Sequence, residues 1–179
     1  MLADNVEKVL ISEEEIQERC RQLGKQISED YADSAIVVIG LLRGSVCFMA
    51  ELVKRLTCDC VMEFMAVSSY QGTESQGDVK IVKDIDCSVK GKDVLIIEDI
   101  IDTGKTLAKV KELLYSKGAR TVKVAALLDK PLSRTIKDIQ AEYVGFEIPN
   151  EFVVGYGLDF NQKYRNLPYV GVLKEECYK

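Results

Sequence analysis

The stretch at residues 94–107, VLIIEDIIDTGKTL, constrains the fold of this chain more than any other part of the sequence. It opens with four apolar residues, 94–97, which are too few for a core helix and are typical of a strand buried on both faces of a parallel sheet. After an acidic segment, apolar residues recur at helical spacing, at Leu107, Val110, Leu113 and Leu114. The stretch therefore predicts a strand, an acidic turn and the start of a helix.

The predicted turn carries the groups of an anion-binding site. Backbone N–H groups at a helix start are free and carry partial positive charge, and the hydroxyl groups of Thr103 and Thr106 lie beside them. Glu98, Asp99 and Asp102 belong to the same turn. Carboxylates near a phosphate are expected if the ligand also offers sugar hydroxyls and shares a divalent metal. The turn thus predicts a site for a phosphorylated ribose.

Two other interpretations explain fewer of these residues. Gly104-Lys105-Thr106 matches the end of the triphosphate-binding pattern G-x-x-x-x-G-K-[ST], but the first glycine of that pattern would fall at Asp99. Alternatively, the acids only cap the helix N-terminus, which would account for Asp102 but not for all three carboxylates.

The composition narrows the chemistry of the chain. Its 179 residues suit one domain, large enough to bury roughly 70% of the surface of the unfolded chain. The net charge of −5 argues against general binding to nucleic acid or membrane surfaces. Because there is no histidine, proton transfer must use Asp, Glu, Lys or Tyr. The six cysteines form no C-x-x-C pair, and neither a signal segment nor an apolar run of about 18 residues occurs, so a reduced, cytoplasmic protein is expected.

A second strand, at residues 35–39, precedes the loop GLLRGS at 40–45 and a predicted helix that ends near Leu56. Glycines on both sides of Arg43 allow a ligand to approach the backbone, and Arg43 can hold an anion. The alternative for Arg43 is a solvated loop charge, and the residues alone leave the choice open.

A third apolar strand, at residues 121–128, ends at Asp129-Lys130-Pro131. Lys130 by itself is typical of a surface charge. However, ligands bind beyond the carboxyl ends of the strands in open parallel sheets. Arg43, the 98–106 turn and Lys130 are therefore predicted to converge although they are far apart in sequence.

Two segments complete this outline. Strands are predicted at 60–67 and 79–85 around the polar loop 68–78, which is either an exposed tip or a movable lid. Near the start of the chain, Ser12 and Glu15 form a capping box for a helix. The apolar side of that helix consists of Ile16, Cys20, Leu23 and Ile27.

The segment EDIIDTGKTL at 98–107 closely resembles the 5-phosphoribosyl-1-pyrophosphate (PRPP) binding motif of type I phosphoribosyltransferases. From about Ile36 to Val172 the chain resembles the hypoxanthine-guanine members of that family. The resemblance implies an α/β fold with a central, mostly parallel sheet flanked by helices. It also implies a single phosphoribosyltransferase domain over residues 1–179, with a small hood subdomain contributed mainly by residues 141–179.

The resemblance assigns roles to the predicted site residues. The PRPP-binding residues are Glu98, Asp99, Asp102, Thr103, Gly104, Lys105 and Thr106. Asp102 is implied as the general base, while Glu98, Asp99 and Asp159 are implied as ligands of Mg²⁺. Pyrophosphate is implied to bind at Leu42, Arg43, Gly44 and Arg165, where the family loop often contains a non-proline cis peptide. The purine is implied to contact Lys130, Phe152 and Val153, and the lid to contain Ser69 and Tyr70.

The expected reaction transfers the 5-phosphoribosyl group of PRPP to N9 of hypoxanthine or guanine, giving IMP or GMP and pyrophosphate. Homodimers or homotetramers are usual in the family. One alternative is a regulator of the same fold that binds RNA, but it needs a basic face, and the chain has 24 Lys and Arg against 29 acids. Another is a pyrimidine or adenine transferase, which would share the phosphate turn but not Lys130 with Phe152 and Val153.

Overall fold

The computed structural model describes residues 2–69 and 79–179. Its three α-helices are α1 (Glu13–Asp30), α2 (Val46–Val53) and α3 (Lys105–Ser116). Its strands are β1 (Val6–Ile11), β2 (Ile36–Leu42), β3 (Cys60–Ser69), β4 (Val79–Lys83), β5 (Asp93–Ile101), β6 (Thr121–Asp129), β7 (Tyr143–Glu147), β8 (Val153–Val154) and β9 (Val170–Leu173). Short 3-10 helices occur at Leu2–Asn5, Pro131–Ser133 and Glu175–Cys177.

The larger sheet has six strands in the order β4-β3-β2-β5-β6-β7. The five strands from β3 to β7 in this order are parallel, and only β4 at the edge is antiparallel. Leu95 and Ile97 of β5 pack on the side of α1 and α2, while Val94 and Ile96 pack on the side of α3. The α/β fold with a mostly parallel sheet flanked by helices is thus confirmed.

Local patterns predict the helices well. Ser12 and Glu15 form the complete capping box at the start of α1, and the predicted apolar side of that helix is buried. In α3 the buried residues are Leu107, Val110 and Leu114. Helix α2 is shorter than predicted, since it ends at Val53 and a turn follows it.

Strands β2 and β5 run further than the apolar runs that predict them. The pairing of β5 with β6 continues through Glu98 to Ile101, and the pairing of β2 with β3 continues to Leu42. Backbone hydrogen bonds to a neighbouring strand hold these polar and loop-like residues extended. The prediction that Glu98 and Asp99 follow the strand is therefore wrong, because both lie within it.

A second, smaller sheet has three antiparallel strands in the order β1-β9-β8. It combines the start of the chain with its C-terminal part. By contrast, β7 pairs with β6 and so belongs to the larger sheet. The single domain over residues 1–179, with a hood contributed mainly by residues 141–179, stays a prediction. No helix in residues 2–69 and 79–179 has the length and apolar character needed to cross a membrane.

Candidate active site

The carboxyl ends of β2, β5 and β6 meet at one edge of the larger sheet, because β5 lies between the other two and is parallel to both. This arrangement brings Arg43, the 98–106 segment and Lys130 to the same edge, as the sequence predicts. A cavity of about 140 Å³ opens there. Its walls are Glu98, Asp99, Ile100, Ile101, Asp102, Thr103, Gly104, Thr106 and Leu107.

The turn between β5 and α3 has the form expected of an anion site. Gly104 occupies the N-cap position with a φ of +83°, a left-handed conformation that favours glycine. Gly104 has no side chain that could cap the helix, and Thr103 Oγ1, not a carboxylate of Asp102, accepts the Lys105 N–H at 3.4 Å. The interpretation of Asp102 as the N-cap is therefore wrong. Thr103, Gly104 and Thr106 line the cavity, whereas Lys105 is exposed and does not line it.

Glu98 and Asp99 lie side by side near the end of β5, where the protein excludes most water from them. Desolvation raises the pKa of Glu98 well above its ordinary value, and the Asp99 carboxylate adds to this rise. Burial also raises the pKa of Asp99, although the Ile100 N–H donates to Asp99 Oδ1 at 2.9 Å. A cation bound beside the pair would stabilise both negative charges.

The loop after β2 packs directly against this acidic pair. A Cβ atom at Gly44 would lie 1.5 Å from Asp99 Oδ2, and one at Gly157 would lie 2.0 Å from the Gly44 carbonyl oxygen. Side chains larger than that of glycine therefore do not fit at either position without displacing a neighbour. The peptide bond between Leu42 and Arg43 is cis, as the family resemblance implies.

Arg43 and Arg165 come together through Gln162. Arg43 Nη1 donates to Gln162 Oε1 at 3.1 Å, and Arg165 Nη2 donates to the same oxygen at 3.3 Å. Asp159 pairs with Arg165 at 2.7 Å, and its Oδ2 accepts the Gln162 N–H at 2.8 Å. Sequence analysis singles out the arginines and Asp159 but misses Gln162, which no motif marks.

Lys130 is buried at the end of β6, with 8% of its surface exposed, so its interpretation as a surface charge is wrong. Its Nζ donates to the Glu151 carbonyl oxygen at 2.6 Å. Burial lowers the pKa of the Lys130 ammonium, while the carboxylates of Asp102 and Glu151 oppose that fall. Lys130 is therefore close to both the acidic turn and the segment that precedes Phe152.

Phe152 follows Glu151, whose carbonyl oxygen binds Lys130, and it is partly exposed, at 37%. Its ring stacks on Tyr178 with 4.7 Å between ring centroids, and Phe160 meets it edge-on at 5.6 Å. The neighbouring Val153 is buried and pairs with Val172 between β8 and β9. Lys130 thus holds the backbone immediately before Phe152 and Val153.

The sequence analysis places Ser69 and Tyr70 in a lid. Ser69 is the last residue of β3. Tyr70 and the remainder of the predicted lid, residues 71–78, lie outside the described residues.

The sequence matches the family model of the phosphoribosyl transferase domain over residues 11–161. It is 56% identical to the hypoxanthine-guanine phosphoribosyltransferase of Lactococcus lactis over 174 residues, which cover 97% of this chain and 94% of the relative. It is 50% identical to the enzyme of that name from Streptococcus pyogenes over 179 residues, covering 99% of each. This chain belongs to the hypoxanthine-guanine phosphoribosyltransferase family.

The fold agrees with this family membership. The crystal structure of a hypoxanthine phosphoribosyltransferase from Staphylococcus aureus matches the chain with a TM-score of 0.95 and 50% identity, covering 99% of this chain and 97% of that one. Members of the hypoxanthine-guanine phosphoribosyltransferase family are pentosyltransferases, and this chain is an enzyme of that class.

The residues at the sheet edge fit the Mg²⁺ expected for this family. Within residues 2–69 and 79–179, no three acidic, thiol or imidazole side chains are grouped closely enough to hold a metal by themselves. Mg²⁺ in substrate complexes, however, commonly uses one or two carboxylates together with phosphate oxygens and water. The desolvated Glu98 and Asp99 provide such a pair, whereas Asp159 is already engaged by Arg165 and Gln162.

Proposed function

We propose that this phosphoribosyltransferase acts in purine salvage at the sheet-edge cavity, transferring the 5-phosphoribosyl group of PRPP to N9 of hypoxanthine or guanine. The products are IMP or GMP and pyrophosphate. One observation carries the assignment of the site: a helix-start turn, a desolvated acidic pair and a buried lysine meet at the ends of adjacent strands. Each group suits a different part of the two substrates.

The 5-phosphate would bind at the 103–106 turn. Thr103, Gly104 and Thr106 line the cavity, and the free N–H groups at the start of α3 carry the positive end of the helix dipole. Lys105, which is exposed, would add positive charge from outside the cavity.

The pyrophosphate would leave toward the loop after β2. Breaking the anomeric bond creates negative charge on the leaving group, and Arg43 and Arg165 would stabilise it. Gln162 already holds the two guanidinium groups together. Leu42 and Gly44 would offer backbone groups to the same anion, since Gly44 allows a close approach.

The ribose would lie over Glu98 and Asp99, whose carboxylates would accept hydrogen bonds from its hydroxyl groups. These two carboxylates would hold Mg²⁺, which when bound neutralises negative charge on the pyrophosphate. Asp159 would join them as a ligand by exchanging its contacts with Arg165 and Gln162 for the metal. Two desolvated acids with raised pKa values gain stability from a cation, which supports this placement.

The purine would be held by Lys130, Phe152 and Val153. Lys130 Nζ would donate to the 6-oxo group, the Phe152 ring would stack on the base, and Val153 would offer backbone hydrogen bonds. Asp102 would accept the proton that the purine ring loses when its N9 bonds to the ribose. Its proximity to Lys130 supports a shared role at the base.

The enzyme is proposed to work in the cytoplasm as a homodimer or homotetramer. All six cysteines are free thiols, as expected for a reducing compartment. Light scattering coupled to gel filtration would measure the assembly, and a monomeric mass at working concentration would contradict the oligomer.

A pyrophosphate-release assay over a panel of bases tests the proposed reaction. Wild-type enzyme with PRPP and Mg²⁺ should release pyrophosphate with hypoxanthine and guanine and scarcely with adenine, uracil or orotate. Rapid release with adenine or a pyrimidine base would reassign the substrate. No release with any base, together with salt-sensitive binding to RNA, would favour the regulator instead.

A further inference from the structure

The side chain of Arg134 is largely buried in a segment whose other residues are mostly exposed. Only 9% of its side chain is accessible, whereas Leu132 is 87% exposed two residues earlier. Burying a guanidinium while leaving a leucine in water reverses the usual preference of both side chains. Such burial is tolerated when the guanidinium donors find acceptors. The acceptors of Arg134 therefore show which parts of the chain it connects.

The guanidinium of Arg134 joins three parts of the chain. Its Nε donates to the Asp102 carbonyl oxygen at 3.1 Å, its Nη1 donates to the Ile139 carbonyl oxygen, and its Nη2 pairs with the Asp129 carboxylate. Asp129 ends β6 directly before Lys130. A planar guanidinium fixes the directions of its donors, so Arg134 sets the position of the acidic turn relative to β6.

The two residues after Arg134 hold the next carbonyl group of the same turn. The N–H of Thr135, the hydroxyl of Thr135 and the N–H of Ile136 all donate to the Thr103 carbonyl oxygen, each at 3.1 Å. Two consecutive carbonyl groups of the turn, those of Asp102 and Thr103, are thus engaged by the 134–136 segment.

These hydrogen bonds to two carbonyl oxygens fix the direction in which the next N–H groups, those of Thr103 and Gly104, point. Both peptide bonds concerned are trans, and in a trans peptide the carbonyl and the next N–H point in opposite directions. With the carbonyls of Asp102 and Thr103 held by the 134–136 segment, the N–H groups of Thr103 and Gly104 point to the opposite side. Thr103 and Gly104 line the cavity, and Arg134 does not. Within the described residues, neither N–H has an acceptor.

We propose that Arg134 is a positioning residue that, with Thr135, holds the backbone of the turn so that the Thr103 and Gly104 N–H groups are aimed at the 5-phosphate. The inference rests on the proposed function, in which this turn binds that phosphate. Arg134 itself touches no substrate. Its loss should therefore weaken the binding of 5-phosphorylated ribose and leave the affinity for the base nearly unchanged.

The test compares Arg134→Ala with a matched control, Arg120→Ala. Arg120 makes a two-pronged pair with Asp93, but at the opposite end of β5 and β6. Steady-state kinetics give the KM for PRPP and for hypoxanthine, and calorimetry gives the Kd for ribose 5-phosphate without any base. Since a displacement of about 1 Å can cost roughly 100-fold, Arg134→Ala should raise the KM for PRPP and this Kd at least roughly 10-fold. Arg120→Ala should change neither.

Chemical rescue adds a readout that a general loss of stability does not predict. Arg134 also lines a second cavity, of about 490 Å³, whose walls include no residue of the 98–106 segment. Guanidinium at low, non-denaturing concentration should enter the space left in Arg134→Ala and restore part of the PRPP affinity. If that variant does not fold, Arg134→Lys replaces it. A single ammonium cannot reach three fixed acceptors, so its KM for PRPP should still rise.

Three outcomes would overturn the role of Arg134. These are folded variants that keep the wild-type Kd for ribose 5-phosphate, equal losses in the Arg120 and Arg134 variants, or equal increases in the KM for PRPP and for hypoxanthine. The proposed function would fail on a different result, namely no pyrophosphate release by the wild-type enzyme with hypoxanthine. In that case the Kd of each variant for ribose 5-phosphate, measured by calorimetry, would still decide the role of Arg134.

Discussion

Individual side chains at this site are held in states that favour function over stability. Glu98 and Asp99 share a poorly hydrated position, and Lys130 is buried with a lowered pKa. Such perturbed groups cluster where a protein must bind or react with charged molecules. Each of them makes a specific prediction about what its replacement would do.

Replacing Glu98 by Gln should stabilise the free protein while reducing its activity. Because the folded state raises the pKa of Glu98, the wild type loses stability as pH rises from the ordinary value of 4.5 toward the raised one. Gln does not titrate and avoids that loss. The Tm should therefore rise by about 2–4 °C at pH 8, equivalent to about 1 kcal/mol for a chain of this size, and hardly change near pH 4. Thermal unfolding at both pH values measures this, and a lower Tm at pH 8 would contradict it.

Replacing Lys130 by Met should remove the preference for 6-oxopurines. Lys130 has donors and no acceptor, so it suits a 6-oxo group and repels the 6-amino group of adenine, which is also a donor. Loss of a charged hydrogen bond should lower kcat/KM for hypoxanthine and guanine roughly 10- to 100-fold. The Kd for PRPP should stay within a factor of about two. Steady-state assays with the three bases check this, and undiminished use of hypoxanthine would remove Lys130 from the site.

At the scale of elements, the site depends on close backbone contacts between segments that are far apart in sequence. Gly44, in the loop after β2, lies between Asp99 of β5 and Gly157 of the C-terminal part. These contacts set how near the loop after β2 comes to Glu98 and Asp99. Position 44 requires glycine because a Cβ atom there would overlap the Asp99 carboxylate.

Gly44→Ala should therefore disturb both stability and catalysis. The added methyl group would overlap Asp99 Oδ2, so Asp99 or the loop must move, at a cost of about 1–3 kcal/mol and roughly 100-fold in kcat/KM. Gly91→Ala is the control. Gly91 has a positive φ of 69°, but a Cβ added there would meet no atom within 4 Å apart from its chain neighbours. The substitution should therefore lower the free energy of unfolding by only about 1–2 kcal/mol and leave activity intact. Equal activity in the two variants would show that the Gly44 contact does not matter.

Sequence patterns predict those elements whose cause is local. The capping box at Ser12, the buried run at 94–97 and the spacing from Leu107 to Leu114 all have their predicted structures. The true ends of β2 and β5 were not predictable in this way, since they depend on hydrogen bonds to neighbouring strands. Arg134 and Gln162 carry no motif, and their importance arises only from contacts across the fold.

At the scale of the whole molecule, an acidic protein brings three positive side chains together where anionic substrates would bind. The net charge is −5, yet Arg43, Arg165 and Lys130 all lie near the carboxyl edge of the larger sheet. Parallel topology accounts for their meeting. The smaller sheet was beyond sequence analysis, because β1 and β9 pair across most of the length of the chain.

We propose that this edge of the larger sheet is the catalytic site and that Asp102 is the general base. Asp102→Asn tests it most directly, because the side chain is exposed and the change is nearly isosteric, so the fold should be preserved. Single-turnover rates with hypoxanthine, measured together with the Kd for PRPP, separate chemistry from binding. We expect the variant to react roughly 100-fold or more slowly than the wild type and to bind PRPP about as tightly. A variant that converts hypoxanthine at the wild-type rate would show that Asp102 is not the base.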